Sequence, residues 1–216
     1  MDILSGVLPE ILLLAAAGIR IAVLHDRVRA LEEQAITDPL TGAFNRRHMQ
    51  HVLTGAIERR RRAGERASLL LFDLDHFKDI NDVLGHAEGD RVLVSLVSLV
   101  GQRTRKLDAL FRVGGEEFVL LLSGTGFADA LVVAEDLRVL VQDARLVAGG
   151  QVSVSVGVAE LAQEQSASEW IEEADAALYR AKRAGRNRVA GTYGDPFSFP
   201  AEQAIHNSVR LPIRIS

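Results

Sequence analysis

The sequence predicts an α/β domain in which helices pack around a central sheet, and three observations support this prediction. The chain has 216 residues, which leaves room for one full domain with additional segments at its ends. Residues 68–74, SLLLFDL, form a continuous apolar run with carboxylates at its end, as expected for a strand buried on both faces. Gly114–Gly115 separates two further strand patterns, which indicates a hairpin. The order of elements therefore combines βα units with an antiparallel hairpin.

The remaining elements of the domain follow from the periodicity of apolar residues. Thr37–Pro39 interrupts the preceding helical pattern, so we expect the globular domain to begin near Thr37. Helices are predicted over 45–62, 89–103, 128–141 and 168–183, and strands over 68–74, 109–113, 117–122, 151–158 and 188–189. The tail from Gly191 contains Pro196, Pro200 and Pro212 and is expected to be irregular, with a terminal edge strand over 209–215 as the alternative.

The N-terminal segment, residues 1–36, is predicted to be a helical stalk. The run Ile11–Leu24 is apolar except for Arg20, but it is short for the ~30 Å of a bilayer core. The chain starts with Asp2 and lacks the basic start of a signal peptide, which argues against secretion. Apolar residues recur in a heptad pattern at Val7, Leu14, Ile21, Val28 and Ala35. We favour a coiled coil that pairs with itself or with a regulatory protein; the alternatives are a membrane anchor and a helix folded onto the domain.

Composition excludes several classes of function. The formal net charge of −4 argues against a nucleic-acid-binding protein, since such proteins usually carry a basic excess, but it leaves a nucleotide substrate open. The absence of cysteine excludes disulfide scaffolds, zinc–thiolate clusters and thiol catalysis. Any bound metal must therefore use oxygen or imidazole ligands.

Two pairs of carboxylates lie at predicted strand ends. Asp73 and Asp75 follow the buried strand, and Glu116 and Glu117 follow the Gly–Gly turn. Clustered acids with apolar neighbours repel one another unless a cation neutralises them, so a hard metal such as Mg²⁺ is one explanation. The alternative, equally weighted on spacing alone, is that these acids end their strands in solvent.

Glycines and basic residues mark candidate phosphate contacts. The Gly114–Gly115 turn allows a close approach of backbone to a ligand, and Gly85–His86 with Gly89–Asp90 predicts a second tight loop just before a helix. Lys182 and Arg186 lie four residues apart at the end of a predicted helix. Without further motifs, the helix dipole is a sufficient explanation for these two basic residues.

Taken together, the motifs resemble the GGDEF family of diguanylate cyclases, from Thr37 to about Val189. They agree in order and spacing: DPLTG over 38–42, NRR over 45–47, FDLDHFKDIND over 72–82, GH over 85–86, GD over 89–90, RVGGEEF over 112–118, SVG over 155–157, AD over 174–175 leading to Tyr179, AK over 181–182 and GRN over 185–187. The signature reads GGEEF, and Glu116 retains the carboxylate of the more frequent Asp.

The resemblance implies a nucleotidyltransferase that condenses two GTP molecules into cyclic di-GMP, a bacterial signalling nucleotide, and releases two pyrophosphates. It also implies a palm-like domain with a mostly antiparallel sheet surrounded by helices, in which the Gly–Gly hairpin lies over the nucleotide. Each domain would hold one GTP, so a homodimer is expected to be the active form. The resulting domain assignment is a stalk over 1–36, the cyclase domain over 37–190 and a tail over 191–216.

The resemblance also assigns roles to individual residues. The implied ligands of Mg²⁺, with Mn²⁺ as the alternative, are Asp73, the Leu74 carbonyl, Glu116 and Glu117. The implied catalytic residues are Glu116, as the base that takes the proton of the attacking 3′-hydroxyl, Glu117 and Lys78. The implied substrate contacts are Asn81 and Asp90 for guanine, Lys78, Lys182 and Arg186 for the phosphates, and Gly114 and Gly115 in the turn.

Arg105 and Asp108 stand at the spacing of the family's RxxD site for inhibition by the product. The alternative is that these two residues only pair with each other. Val132 and Asp136 occupy positions where the family often has further arginines, so we expect inhibition to be weaker than usual in the family.

Two other functions remain open from the sequence. One is a catalytically silent module that senses GTP or cyclic di-GMP and signals through the stalk, against which the intact acids count. The other is synthesis of a mixed guanine–adenine cyclic dinucleotide, against which Asp90 counts. We expect the chain to be cytoplasmic, or anchored at the inner membrane with its catalytic domain in the cytoplasm.

Overall fold

The computed structural model describes residues 18–21, 36–147 and 150–192. Two compact units are distinguished, Met1–Thr37 and Asp38–Ser216. In the first unit, residues 18–21 are helical, and most of the heptad pattern lies outside the described residues. The tail from 193 onward, with its alternative edge strand, also lies outside them. Within the part of the chain that is described, no helix combines the length and apolar character needed to span a bilayer.

The second unit is an alternation of helices and strands. The helices are α1 (Arg46–Ala63), α2 (Phe77–Leu84), α3 (His86–Gly101), α4 (Phe127–Asp143) and α5 (Ala167–Arg183). The strands are β1 (Phe44–Asn45), β2 (Ala67–Leu74), β3 (Ala109–Arg112), β4 (Glu117–Ser123), β5 (Val154–Glu160) and β6 (Val189–Gly191).

The six strands form one sheet in the order β1-β3-β4-β2-β5-β6. The central pairs β3–β4, β4–β2 and β2–β5 are antiparallel, and only the short outer strands β1 and β6 pair in parallel with their neighbours. The α/β class, the mostly antiparallel sheet and the Gly–Gly hairpin are thereby confirmed.

The sheet has a hydrophobic core on each face. All eight residues of β2 are buried, which confirms a strand covered on both sides. Leu70, Phe72 and Leu74 belong to the core shared with α3 and α4, whereas Leu69 and Leu71 belong to the core shared with α1 and α5. This alternation follows from the two-residue period of a strand. The centre of the sheet is thus a rigid support for residues at its ends.

Helix α2 and strand β1 were not among the predicted elements. Helix α2 has only eight residues and buries only Phe77, so its apolar periodicity is too short to identify it. Gly85, at φ 83°, separates it from α3, which begins at His86 rather than at the predicted Gly89. Asn45 was expected to open the first helix, but it caps α1 by accepting a hydrogen bond from the His48 N–H, and it belongs to β1.

Helix α5 lies unusually close to the sheet at Gly157. A Cβ at Gly157 would overlap the Ala174 carbonyl oxygen and the Leu178 nitrogen, so a side chain there would push α5 away from β5. Lys182 lies four residues beyond Leu178 and therefore on the same face of the helix. The close packing thus directs Lys182 toward the sheet.

Candidate active site

The site is built where β2 ends beside the hairpin. Asp73 lies opposite Glu117 in the antiparallel register of β2 and β4, and opposite Ser155 of β5. The Leu74 N–H donates a hydrogen bond to the Glu116 carbonyl oxygen at 3.4 Å. The structure therefore brings the end of β2 together with both acids of the GGEEF signature, although they lie more than forty residues apart in the chain.

Asp73 is a buried acid beside a lysine. It is 7% exposed, and its Oδ2 lies 2.9 Å from Nζ of Lys182. Burial raises the pKa of Asp73; Lys182 opposes this shift, and the negative charges of Glu116 and Glu117 add to it. Lys182 thus has a specific carboxylate partner, beyond any interaction with the helix dipole.

The chemistry of these donors suits a hard cation. Carboxylates and a backbone carbonyl are the ligands that Mg²⁺ prefers, and the raised pKa of Asp73 indicates a need for positive charge. Among the described residues, however, no three His, Asp or Glu side chains lie close enough together to enclose a metal ion. Asp73, Glu116 and Glu117 fit a metal by chemistry and by strand position, and binding would require their side chains to converge.

The side chain of Arg112 stabilises the Gly–Gly turn. Its guanidinium donates two hydrogen bonds to the Gly115 carbonyl oxygen, at 3.1 and 2.8 Å, and pairs with Asp38 at 3.0 Å. A Cβ at Gly114 would lie 2.5 Å from Oε2 of Glu117, so a side chain there would displace the carboxylate that folds back over the turn. Arg112 therefore fixes the turn that precedes the signature acids, and Gly114 leaves room for the carboxylate of Glu117.

Asp38 connects this hairpin to the turn at the start of the domain. Its Oδ1 accepts hydrogen bonds from the Thr41 N–H at 2.9 Å and from the Thr41 hydroxyl at 2.6 Å. Burial opposes the charge of Asp38, but the hydrogen bonds from Thr41 and Arg112 outweigh it and hold the pKa of Asp38 below its usual value. The DPLTG motif is thus a structural turn whose acid is paired with the hairpin.

Asn81 and Asp90 lie where α2 meets α3. A Cβ at Gly89 would overlap Oδ1 of Asn81, so the absence of a side chain at Gly89 lets the amide pack against α3 next to Asp90. Asn81 is half-buried, and Asp90 is exposed. Asn81 thus lies against the residue that precedes Asp90, and the role of the two residues in binding guanine stays a prediction.

Lys78 and Arg186 are both exposed to solvent. Lys78 lies in the first turn of α2, four residues beyond the end of β2. Arg186 follows α5 with a left-handed backbone at φ 62°, and its N–H donates a hydrogen bond to the Ala181 carbonyl oxygen at 3.1 Å. Their roles at a triphosphate stay predictions.

Asp75 differs from the expectation that it shares a metal-binding cluster with Asp73. Its carboxylate accepts hydrogen bonds from the hydroxyls of Ser153 and Ser155, each at 2.7 Å, and from the Asn187 N–H at 3.0 Å. Asp75 is 5% exposed and fully engaged by these donors. The signal available in the sequence was the presence of Ser155 and Asn187 in the SVG and GRN motifs.

The RxxD pair does not form the simple ion pair that was the alternative. Asp108 accepts hydrogen bonds from the backbone N–H of Arg105 at 2.9 Å and of Ser123 at 3.3 Å. Among the described ion pairs none joins the Arg105 guanidinium to Asp108, and Arg105 is exposed. Val132 and Asp136 lie exposed on α4.

Comparison with known proteins gives a consistent assignment. The family model described as "Diguanylate cyclase, GGDEF domain" matches residues 35–188. Diguanylate cyclase DgcM of Escherichia coli (strain K12) is 42% identical over 175 residues, which cover 78% of this chain and 43% of DgcM. Response regulator PleD of Caulobacter vibrioides (strain NA1000 / CB15N) is 41% identical over 165 residues, 74% of this chain and 36% of PleD. The chain thus spans less than half the length of these curated relatives.

Solved structures agree with this assignment. The coiled coil and GGDEF domain of DgcB from Caulobacter crescentus, in complex with c-di-GMP, matches with a TM-score of 0.71 and 32% identity, covering 82% of this chain and 96% of that one. Diguanylate cyclase SiaD in complex with its activator SiaC, from Pseudomonas aeruginosa, matches with a TM-score of 0.70 and 38% identity, covering 85% of this chain and 72% of that one.

Proposed function

The chain belongs to the GGDEF family of diguanylate cyclases, and on that premise we propose that it condenses two GTP molecules into cyclic di-GMP with release of two pyrophosphates. The observation that carries this proposal is the buried Asp73, which lies beside the GGEEF hairpin and is paired with Lys182. An acidic strand end next to a glycine turn and a cation suits a nucleoside triphosphate with its metal.

Asn81 and Asp90 select guanine in this proposal. A carboxylate accepts hydrogen bonds from the N1 and N2 protons of guanine, and the amide of Asn81 pairs with other polar atoms of the base. Adenine lacks the N1 proton and the N2 amino group, so it would leave the acid without its donors, at a cost of about 1–3 kcal/mol or more. The half-buried Asn81 against Gly89 gives this recognition a fixed position.

Basic side chains hold the triphosphate. Lys182 already lies 2.9 Å from Asp73, and Arg186 follows it by four residues, in the turn after α5. Lys78, in the first turn of α2, supplies a third positive charge near the end of β2 in the chain. Charge-assisted contacts to phosphate are stronger than neutral ones, so these residues both bind and orient GTP.

Enzymes of this family use a divalent metal, which we propose is Mg²⁺, with Mn²⁺ as the alternative. Asp73, the Leu74 carbonyl, Glu116 and Glu117 would hold it. When bound, the metal stabilises negative charge on the entering and leaving oxygens of a phosphoryl transfer.

Bond formation requires removal of one proton. The 3′-hydroxyl of one GTP attacks the α-phosphorus of the other, the bond to pyrophosphate breaks, and Glu116 accepts the hydroxyl proton. Each product contains two such bonds, so the reaction occurs twice per cyclic di-GMP. Because each domain holds one GTP, two domains must face each other, and the active form is a homodimer.

Regulation is proposed at two places. Arg105 and Asp108 bind cyclic di-GMP as an inhibitor; Asp108 already holds the backbone at Arg105, and the exposed guanidinium is available to a phosphate. The N-terminal segment pairs with itself or with a protein partner, and the complex of SiaD with its activator provides a similar case. A membrane contact of this segment is the alternative.

The test is to incubate the purified chain with Mg²⁺ and GTP, or with GTP plus ATP, and to identify the products by mass spectrometry. We expect cyclic di-GMP and pyrophosphate in a ratio of 1:2, with no mixed product. Binding of GTP without turnover would instead favour a silent sensing module, and a guanine–adenine product would overturn the assignment of Asp90.

A further inference from the structure

Asp75 is a buried acid that the proposed reaction does not use. Both of its oxygens are engaged: Oδ1 by the Ser155 hydroxyl, and Oδ2 by the Ser153 hydroxyl and the Asn187 N–H. Ser153 immediately precedes β5 and Ser155 lies within it, next to β2 in the sheet. Asn187 belongs to the turn after α5. Asp75 is therefore a connection between the sheet and that turn.

The turn itself adopts an unfavourable backbone conformation. Gly185, Arg186 and Asn187 have φ angles of 112°, 62° and 45°, all in the left-handed region. Residues other than glycine adopt this region rarely and need surrounding contacts to hold them there. The hydrogen bond from the Asn187 N–H to Asp75 is such a contact, at 3.0 Å.

The side chain of Asn187 holds the turn from the opposite side. Its Oδ1 accepts a hydrogen bond from Arg138 at 2.8 Å, and its Nδ2 donates one to Gln142 at 3.0 Å. The guanidinium of Arg138 also forms an ion pair with Oε1 of Glu135, at 2.7 Å. The turn is thus held by its backbone to β2 and by a side chain to α4.

Both ends of segment 182–187 are therefore bonded to residues at the C-terminal end of β2. Lys182 pairs with Asp73, and Asn187 donates to Asp75 two residues later. Arg186 immediately precedes Asn187, whose N–H donates to Asp75. The backbone conformation that this hydrogen bond maintains therefore sets the direction of the Arg186 side chain.

We propose that Asp75 is a positioning residue, which holds the turn over 185–187 so that Arg186 reaches the triphosphate of GTP; this inference rests on the proposed function. Asp75 does not touch the nucleotide. It acts through Arg186, and its loss lowers the affinity for GTP by releasing the turn.

The test is a double-mutant cycle on the full chain, with binding of 3′-deoxy-GTP and Mg²⁺ measured by calorimetry. This analogue lacks the attacking hydroxyl, so binding is measured without turnover. Asp75→Ala is expected to raise the Kd about tenfold, which corresponds to loss of one charge-assisted contact. In the Arg186→Ala background, the same Asp75→Ala change should raise the Kd by less than about twofold, because residues that act as a unit are not additive.

Two variants serve as references for these effects. Ser68→Ala removes another buried hydrogen bond of β2, from the Ser68 hydroxyl to the Thr125 carbonyl oxygen at 3.0 Å, far along the strand from the turn. It should lower stability and leave the Kd unchanged. Asp75→Asn retains an acceptor for the Asn187 N–H, so it should restore the Kd to within about threefold of the parent.

Asp75→Ser decides the question if Asp75→Ala does not fold. Its hydroxyl is polar but one bond shorter than the carboxylate that accepts the Asn187 N–H, so this variant should also raise the Kd, and not additively with Arg186→Ala. If the parent binds 3′-deoxy-GTP and the folded variants show additive effects or an unchanged Kd, this inference is overturned and the proposed function is not. A parent that does not bind the analogue would overturn the proposed function and this inference with it.

Discussion

Replacing Arg112 tests whether the Gly–Gly turn depends on a contact from within the domain. Arg112→Met keeps most of the aliphatic stem and removes the two hydrogen bonds to the Gly115 carbonyl and the ion pair with Asp38. Hydrogen bonds that involve a charged group contribute about 1.5–3 kcal/mol when well buried. The Arg112 and Asp38 side chains are 15% and 20% exposed, so solvent screening reduces this value and we expect a loss of about 2 kcal/mol in the free energy of unfolding.

Asp38→Asn is the matched control, because it removes the charge of the partner but leaves the Arg112 contacts to Gly115. Its Oδ1 still accepts from Thr41, so the loss of stability should be about 1 kcal/mol. The two variants should differ more in activity than in stability. Arg112→Met releases the turn that carries Glu116 and Glu117, and we expect the rate to fall by about tenfold or more, whereas Asp38→Asn should stay within about threefold of the parent.

The measurements are urea unfolding at pH 7 and the initial rate of cyclic di-GMP formation at saturating GTP and Mg²⁺. A change of about 2 kcal/mol in a domain of this size corresponds to a shift of about 4–8 °C in Tm, which a melting curve detects independently. An Arg112→Met chain with the parent's unfolding midpoint and rate would refute the reasoning. Equal rate losses in both variants would show that the ion pair, and not the contact with Gly115, holds the turn.

Four further predictions follow from the same residues. Burial opposes the charge of Asp38, but hydrogen bonds from Thr41 and Arg112 lower its pKa below the ordinary value of 3.8. The contribution of Asp38 to the free energy of unfolding is therefore complete above pH 3.8 and is lost as the pH falls through the lowered pKa. The urea midpoints of the parent and of Asp38→Asn should therefore converge below about pH 4, and a constant difference would contradict this. Glu116→Gln should melt like the parent and lose about 10²–10⁴ in rate, the range for a general base, whereas retention of more than about a tenth would assign the proton transfer to another residue. Arg105→Ala should require at least about tenfold more added cyclic di-GMP for half-inhibition, the loss expected for a charge-assisted phosphate contact, and coincident inhibition curves would remove the site. Deletion of residues 1–34 should lower specific activity more at low protein concentration than at high, and unchanged activity at every concentration would show that the segment does not promote assembly.

The parts of the fold that the sequence predicts correctly are those with strong periodic signals. The uninterrupted apolar run of β2 reflects burial on both faces, and the two glycines interrupt the strand patterns on either side of them and so mark the hairpin. Helix α2 was missed because its eight residues form only about two turns, so that Phe77, Ile80 and Leu84 give too few repeats of the helical period to identify it. Its N-terminus is also unusual, since His76 precedes it in a left-handed conformation at φ 58° and makes no side-chain cap.

The role of Asp75 could not be predicted from local sequence. Its three hydrogen-bond donors lie 78, 80 and 112 residues further along the chain, so no spacing within one element indicates them. Acidic residues two apart in a strand share a face, and this made a common metal site with Asp73 a reasonable expectation. Only the tertiary structure distinguishes the two acids.

The distinction between Asp73 and Asp75 is one of charge compensation. Three neutral donors already surround the carboxylate of Asp75, which satisfies it without a counter-ion. Asp73 has one basic partner, Lys182, yet burial raises its pKa and the charges of Glu116 and Glu117 add to that shift. An additional cation therefore lowers the free energy at Asp73 but has little to gain at Asp75. Because these two acids differ in this way, Lys182 in the last turn of α5 pairs with the acid that still needs positive charge, whereas the turn after α5 is bonded to the acid that is already satisfied.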